Sequence, residues 1–301
     1  MPVIETRQLT KTFGRIRAVD GVSLAVNQGD IYGFVGKNGA GKSTLMKMVC
    51  GLTTPTAGEV RLFDGPPCGG NPRIGVLIEE AGLLPNLSAM ENVMAKSLVI
   101  GLPDAKKRCE DVLAAVGLDP ASRLATKRFS LGMRRRLGIA LALVGSPDAL
   151  VLDEPFNGLD PEGTRAMRQL LMHLNEASGV TVFISSHVID QLDRMATRYG
   201  IIAEGRLTAE MTAEDVQEAC AESLRVRTDD LTRTTALLQD RLPGVRMRVD
   251  ADGAIVMPGL TDSAPVASVL RDAGLLVYEM SVQRRDVEDY FVSLMEGGRH
   301  A

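Results

Sequence analysis

Apolar and polar residues alternate along this chain in two rhythms, and the rhythm changes three times. Up to about residue 85 the apolar runs are short. Leu9 to Phe13, Val22 to Val26, Ile31 to Val35, Glu59 to Phe63 and Ile74 to Leu77 are separated by Gly, Asp and Pro, which predicts strands. From Ser88 the spacing becomes helical. Ser88-Ala89-Met90-Glu91 reads as a capping box for a helix to Ile100. Asp104 heads a helix to Val116, and Ser130 heads another from Leu131 to Val144 with Arg134, Arg135 and Arg136 in its first turns. Strand–helix alternation then returns. Ala149 to Asp153 predicts a buried strand, and Asp160-Pro161 opens a helix to about Ser178. Strand Thr181 to Ser185, helix Val188 to Met195 and strand Tyr199 to Ala203 follow. This predicts an α/β core interrupted by a helical insertion.

Past about Gly205 a different order begins. Glu222 to Thr228 reads as strand, Leu231 to Leu242 as helix, and Val245 to Val249 and Ala254 to Met257 as strands. Ser263 to Ala273 reads as helix and Leu276 to Val282 as strand. That βαββαβ order is the ferredoxin-like pattern, and a last helix, Asp286 to Met295, follows it. The expected organisation is an α/β domain over 1–215, with core segments 1–86 and 146–210 around a helical subdomain at 87–145, then a small α+β domain over 220–301.

One loop in the first domain carries chemistry. Gly36-Lys37-Asn38-Gly39-Ala40-Gly41-Lys42-Ser43 fits G-x-x-x-x-G-K-[ST] between a predicted strand and a predicted helix. Glycines let backbone N–H groups wrap a triphosphate, and the following helix turns its positive end to the anion. Lys42 supplies a point charge for the β and γ phosphates, and Ser43 is placed to ligate Mg²⁺. A second motif, Ala149-Leu150-Val151-Leu152-Asp153-Glu154-Pro155, is an apolar strand ending in two acids. The carboxyl end of a strand is where α/β sheets bind ligands. Beside a phosphate loop, Asp153 is the candidate metal ligand and Glu154 the candidate general base.

Bulk properties narrow the field. The 301 residues carry a net charge of −4, which does not indicate a general nucleic-acid surface. Cys50, Cys68, Cys109 and Cys220 are scattered, which argues against a zinc site or disulfide framework and suits a reducing cytosol. The N-terminus lacks the charged start and apolar core of a signal peptide, and no apolar run reaches the ~18 residues of a membrane helix. Any membrane role is therefore expected to pass through a partner.

Taken together, these motifs resemble an ATP-binding cassette (ABC) ATPase over residues 1 to about 210. Phe129-Ser130-Leu131-Gly132-Met133, ahead of a basic helix, is similar to the family's signature. The resemblance implies a RecA-like core with a helical subdomain, binding ATP and Mg²⁺. It implies that Ser130 and Gly132 face the γ-phosphate of a nucleotide on a second copy, so that two cassettes close head to tail. It places Phe13 against adenine, Thr44 with Ser43 at the phosphates, and Asp160 in the segment that couples the two sites. It also gives His187 a γ-phosphate contact and a link to the catalytic Glu154.

Two positions depart from the usual pattern. Glu79, in Ile74-Gly75-Val76-Leu77-Ile78-Glu79-Glu80, stands where most members carry Gln; there it is expected to ligate Mg²⁺ but, ionised, cannot donate a hydrogen bond. Leu131 and Met133 replace the signature's usual Gly and Gln. These variants, with the ending Arg285 to Phe291, resemble the bacitracin- and lantibiotic-resistance branch of ABC exporters. The resemblance implies a peripheral subunit on the cytoplasmic face of the membrane, coupled through the surface from Leu83 to Asn92 to a separate polytopic permease. The competing reading is a soluble ABC-type ATPase acting on ribosomes or DNA. Such proteins carry a long coiled coil or two cassettes per chain, and this sequence has one phosphate loop and no sustained heptads.

Overall fold

A computed structural model describes residues 1–63, 73–79, 82–250 and 252–297. The chain divides into two units, Met1–Met211 joined by the chain from Leu294, and Thr212–Ser293. The first unit runs β1 (Pro2–Phe13), β2 (Ile16–Asn27), β3 (Ile31–Val35), α1 (Lys42–Val49), β4 (Ala57–Leu62) and β5 (Ile74–Leu77). Three helices follow: α2 (Ala89–Val99), α3 (Ala105–Ala115) and α4 (Leu131–Leu143). Then come β6 (Ala149–Asp153), α5 (Pro161–Ser178), β7 (Thr181–Ser186), β8 (Arg198–Ala203) and β9 (Arg206–Thr212).

Two sheets result. One is antiparallel, in the order β2-β1-β4; the other has six strands in the order β5-β6-β7-β3-β8-β9. From β5 to β8 every neighbour in the larger sheet is parallel. β3, β6 and β7 are buried at every position, which is why they read as unbroken apolar runs. One core ties both sheets together through α1, with Ile4 and Val22 on one side, Leu45 and Met46 on the helix, and Phe34 and Phe183 on the other. Register does the rest of the positioning. Val35 lies beside Ser186 and Asp153 beside Ser185, so the carboxyl ends of three strands meet.

The helical segment is fastened by side chains the sequence singles out. Ser88 accepts from the Glu91 N–H while Glu91 accepts from the Ser88 N–H. Ser130 accepts from the Met133 N–H at 3.2 Å, and Asp160 from the Gly163 N–H at 2.8 Å. Asp104 differs from expectation: it precedes α3 in a left-handed conformation (φ 52°) and makes no side-chain cap. The helix expected over 188–195 is reduced to one 3₁₀ turn, Ile189–Gln191. Ser186 draws the chain away from helix there, since its hydroxyl accepts from the Val188 N–H at 3.0 Å and lies 2.8 Å from the Gln191 side chain.

The second unit opens with α6 (Ala213–Cys220), capped by a Thr212–Asp215 box. It continues with β10 (Ser223–Thr228), α7 (Leu231–Arg241), β11 (Arg248–Val249), β12 (Ile255–Pro258), α8 (Ala264–Asp272) and β13 (Val277–Gln283), and α9 (Val287–Gly297) follows. Four strands form an antiparallel sheet in the order β11-β12-β10-β13, giving the βαββαβ sequence of elements that the pattern predicts. Leu224, Val226, Ile255 and Met257 pack with Leu238 of α7 and with Val266 and Leu270 of α8. The strand expected over 245–249 shrinks to Arg248–Val249.

Candidate active site

The loop that follows β3 is fixed from behind. A Cβ at Gly36 would lie 2.5 Å from the Ile202 carbonyl oxygen, and one at Gly41 (φ 107°) would lie 2.4 Å from that of Ala18. Neither position accepts a side chain without moving backbone. Gly41 opens α1 and offers no side-chain cap, so the first N–H groups of the helix are left for an anion. Lys42 is only 5% exposed. Its ammonium donates to the carbonyls of Gly36 (2.7 Å) and Lys37 (3.2 Å) and stands 3.2 Å from Glu154 Oε1.

Glu154 follows β6 in a left-handed conformation (φ 49°) that is uncommon outside glycine. Its Oε2 lies 2.7 Å from His187 Nδ1. Its N–H donates to Ser185 Oγ (2.9 Å), and the Ser185 hydroxyl donates to Asp153 Oδ1 (2.6 Å). Lys42, Asp153, Glu154, Ser185 and His187, drawn from three segments, thus form one bonded group at the carboxyl ends of β3, β6 and β7. Ser185 is the member that sequence reasoning passed over. It ends the predicted strand Thr181 to Ser185, two residues before His187, but its bonds depend on register between strands.

The donor set fits a metal shared with a nucleotide. Glu154 Oε1 is buried and accepts no hydrogen bond, and Asp153 is 5% exposed with one side-chain partner. Among the described residues no three of His, Cys, Asp and Glu cluster as a metal cage. Mg²⁺ characteristically takes one or two protein carboxylates and completes its shell with phosphate oxygens and water. Asp153 offers one such carboxylate at the strand end beside the phosphate loop.

The remaining positions stand apart from this group. Phe13 ends β1 with 52% of its surface exposed and the Lys11 ammonium 5.0 Å over its ring, so it is free to stack and is not a core residue. Ser130 bonds within its own helix start and shares no hydrogen bond or ion pair with the Lys42 group among the described residues. Leu131 lies against Gly158, where a Cβ would come 2.5 Å from its Cδ2. Glu79, the metal ligand that the resemblance implies, has a cationic neighbour in the chain itself. Its largely exposed carboxylate pairs with Lys47 of α1 at 2.5 Å, and its carbonyl accepts from Arg135 of α4 at 2.8 Å. Lys47 lies one helical turn past Ser43, so Glu79 links the phosphate helix to the helix that Ser130 caps. Glu80 and Cys68 lie outside the described residues.

Known proteins resemble this chain in sequence and fold. A profile of the ABC transporter family matches residues 19–157. The chain is 36% identical to the bacitracin transport ATP-binding protein BcrA of Bacillus licheniformis across 98% of each chain. It is 36% identical to the lantibiotic transport ATP-binding protein SrtF of Streptococcus pyogenes across 69% of this chain and 90% of that one. In structure it resembles the dimeric ATP-binding cassette MJ0796 in a post-hydrolysis state with ADP and Pi, at a TM-score of 0.63 and 26% identity, over 70% of this chain and 98% of that one. With 36% identity to BcrA across nearly the whole of both chains and a match to the family profile, the chain belongs to the ATP-binding, ATP-hydrolysing subunits of ABC transporters.

Proposed function

We propose that this chain powers an exporter from the cytoplasmic face of the membrane, as one of two identical ATPase subunits seated on a separate permease. The carrying observation is the bonded group Lys42–Glu154–His187 with Asp153 and Ser185. In this reading the 36–41 backbone, Lys42, Ser43 and Thr44 cradle the triphosphate, and Phe13 stacks on the base. Lys42 moves from its own loop carbonyls to the phosphates. Glu154 Oε2 accepts a proton from a water whose oxygen attacks the γ-phosphorus, and ADP leaves. His187 holds the Glu154 carboxylate in line and contacts the γ-phosphate. Mg²⁺, held by Ser43 and Asp153, would neutralise charge between the β and γ phosphates. Glu79 is the further metal candidate, provided its pair with Lys47 opens. Ser130 and Gly132 of a second copy, positioned by Asp160 and its neighbours, would complete the site.

Among the described residues no helix is long and apolar enough to cross a membrane, which supports a separate permease. A cavity of about 320 Å³ lined by Gly82, Leu83, Pro85, Thr126, Arg134 and Arg135 supports docking near Leu83 to Asn92. Asn92 braces that surface by bonding Leu84 at both N–H (2.8 Å) and carbonyl (3.2 Å). A peptide antibiotic as cargo rests on the bacitracin and lantibiotic transporters among the relatives.

Glu154→Gln tests the mechanism. ATP binding should persist, turnover should fall by roughly 10²–10⁴, and ATP should trap a dimer. Full turnover in that variant would sink the assignment. Purification in detergent should bring down a polytopic membrane protein; ribosomes or DNA in its place would point to the soluble alternative.

A further inference from the structure

The sheet of the second unit has two edges built on different plans. β11 is two residues long, and Arg246 and Arg248 stand at it, paired with Glu218 and Asp250 of the same chain. Shortness and charge are how proteins keep a sheet edge from pairing with another chain. β13 is long, and its flanking charges, Arg284 and Arg285, lie past its end. It runs for seven residues with one ionisable carboxylate, Glu279, and among the described residues no strand pairs with its outer side. Leu276 and Tyr278 are each 59% exposed and Val282 47%. A bulge places Tyr278 out of step with β10, and Glu279 to Gln283 form a regular ladder.

We infer that β13 is a dimerisation strand, pairing antiparallel with β13 of a second copy to make a continuous eight-stranded sheet. The sequence of the strand is self-complementary. In a two-fold pairing centred on Met280, Tyr278 faces Val282, Glu279 faces Ser281, and Met280 faces itself. Aromatic against β-branched is a favourable cross-strand pair, and facing like charges are unfavourable. Centring on Glu279 would set two carboxylates against each other, so the charge pattern selects against that register. Glu279 is already engaged, 3.2 Å from Arg225 of its own chain, so pairing buries no unmatched charge. This contact does not depend on nucleotide. It differs in that respect from the closed ATP-bound cassette pair, and it would keep two chains together between closures. One short ladder is a small interface, so the association is sought at high protein concentration.

Sedimentation of the full chain without nucleotide, at tens of micromolar, should show a dimer, and Lys42→Ala should leave it intact. Tyr278→Lys with Val282→Lys should give a monomer with unchanged circular dichroism. Register is read separately by Met280→Cys in a Cys68→Ser background. Directly opposed residues fall within disulfide reach, so oxidation should cross-link Met280→Cys and leave Glu279→Cys uncross-linked. The native thiols of Cys50, Cys109 and Cys220 are buried, and burial pushes that of Cys50 up to about 12. A chain monomeric without nucleotide, or a lysine variant that still dimerises, overturns the inference. A chain that dimerises only with ATP overturns it while leaving the proposed function standing.

Discussion

The two large sheets of this protein expose their backbones to chemistry in different places. The parallel sheet of the first unit is buried on both faces through its central strands, so polar work is confined to strand ends. The bonded group there is crowded at the carboxyl ends of β3, β6 and β7, with Lys42 and Asp153 nearly inaccessible. The antiparallel sheet of the second unit packs one face against α7 and α8. Its other face carries Arg225 among Asp250, Asp252 and Glu279, and its edges differ in length and charge. The first unit sets its polar groups at strand ends, whereas the second sets a charged cluster across a sheet face.

The contrast is broken most severely by Lys42→Ala. Removing the ammonium should lower turnover by more than about 10³-fold, since charge stabilisation of the phosphates is lost in a buried site. ATP binding measured by fluorescence should fall with it, while thermal unfolding stays close to the parent. The opposite outcome is expected for Leu270→Ala, in the core of the second unit. It should cost about 2–5 kcal/mol of that unit's stability, with ATP turnover per folded molecule unchanged. Differential scanning calorimetry should show one transition moving and the other fixed. A shift of both together would mean that the units unfold as one.

Ser185→Ala sharpens the comparison within the first unit. It cuts the link between Asp153 and the Glu154 backbone, and removal of such a supporting hydrogen bond should reduce turnover by roughly 10–100-fold. The apparent Mg²⁺ requirement should rise, whereas Ser185→Thr should recover most of the activity. Ser88→Ala is smaller, about 1 kcal/mol from the loss of a helix cap. Its partner Glu91 gives a pH signature. The Ser88 N–H holds the Glu91 carboxyl below its ordinary value. The cap's contribution is therefore whole above the ordinary carboxylate pKa of ~4.3 and fades as pH falls through the lowered value. Urea titrations at pH 7 and pH 3 should show this dependence in the parent and lose it in Glu91→Gln.

What the sequence made legible follows the same division. β3, β5, β6 and α5 match their expected bounds because long apolar runs and a proline-started helix leave little choice. The phosphate loop was legible because triphosphate chemistry dictates residue types at fixed spacing. The turn at 189–191 was misread because Val188, Ile189, Leu192 and Met195 have helical spacing, and a local Ser186 bond overrides spacing. β9 was missed since Arg206 to Thr212 is mostly polar and takes its identity from β8 beside it. Ser185 and the Glu79–Lys47 pair were hidden for a related reason. Their partners lie 32 residues away in the chain in both cases, and nothing local marks them.

The unequal edges of the second sheet have a consequence for how large an assembly can grow. A sheet with two open edges can add copies at both ends, and each addition exposes a fresh edge for the next, which is the route to fibres. Here only β13 can accept a neighbour, and once it has done so the outermost strands of the joined sheet are two short, arginine-flanked β11 segments. Growth ends at two because the blunt edge caps both sides of the product. Lengthening β11 or removing Arg246 and Arg248 would turn a self-limiting pair into an open-ended polymer.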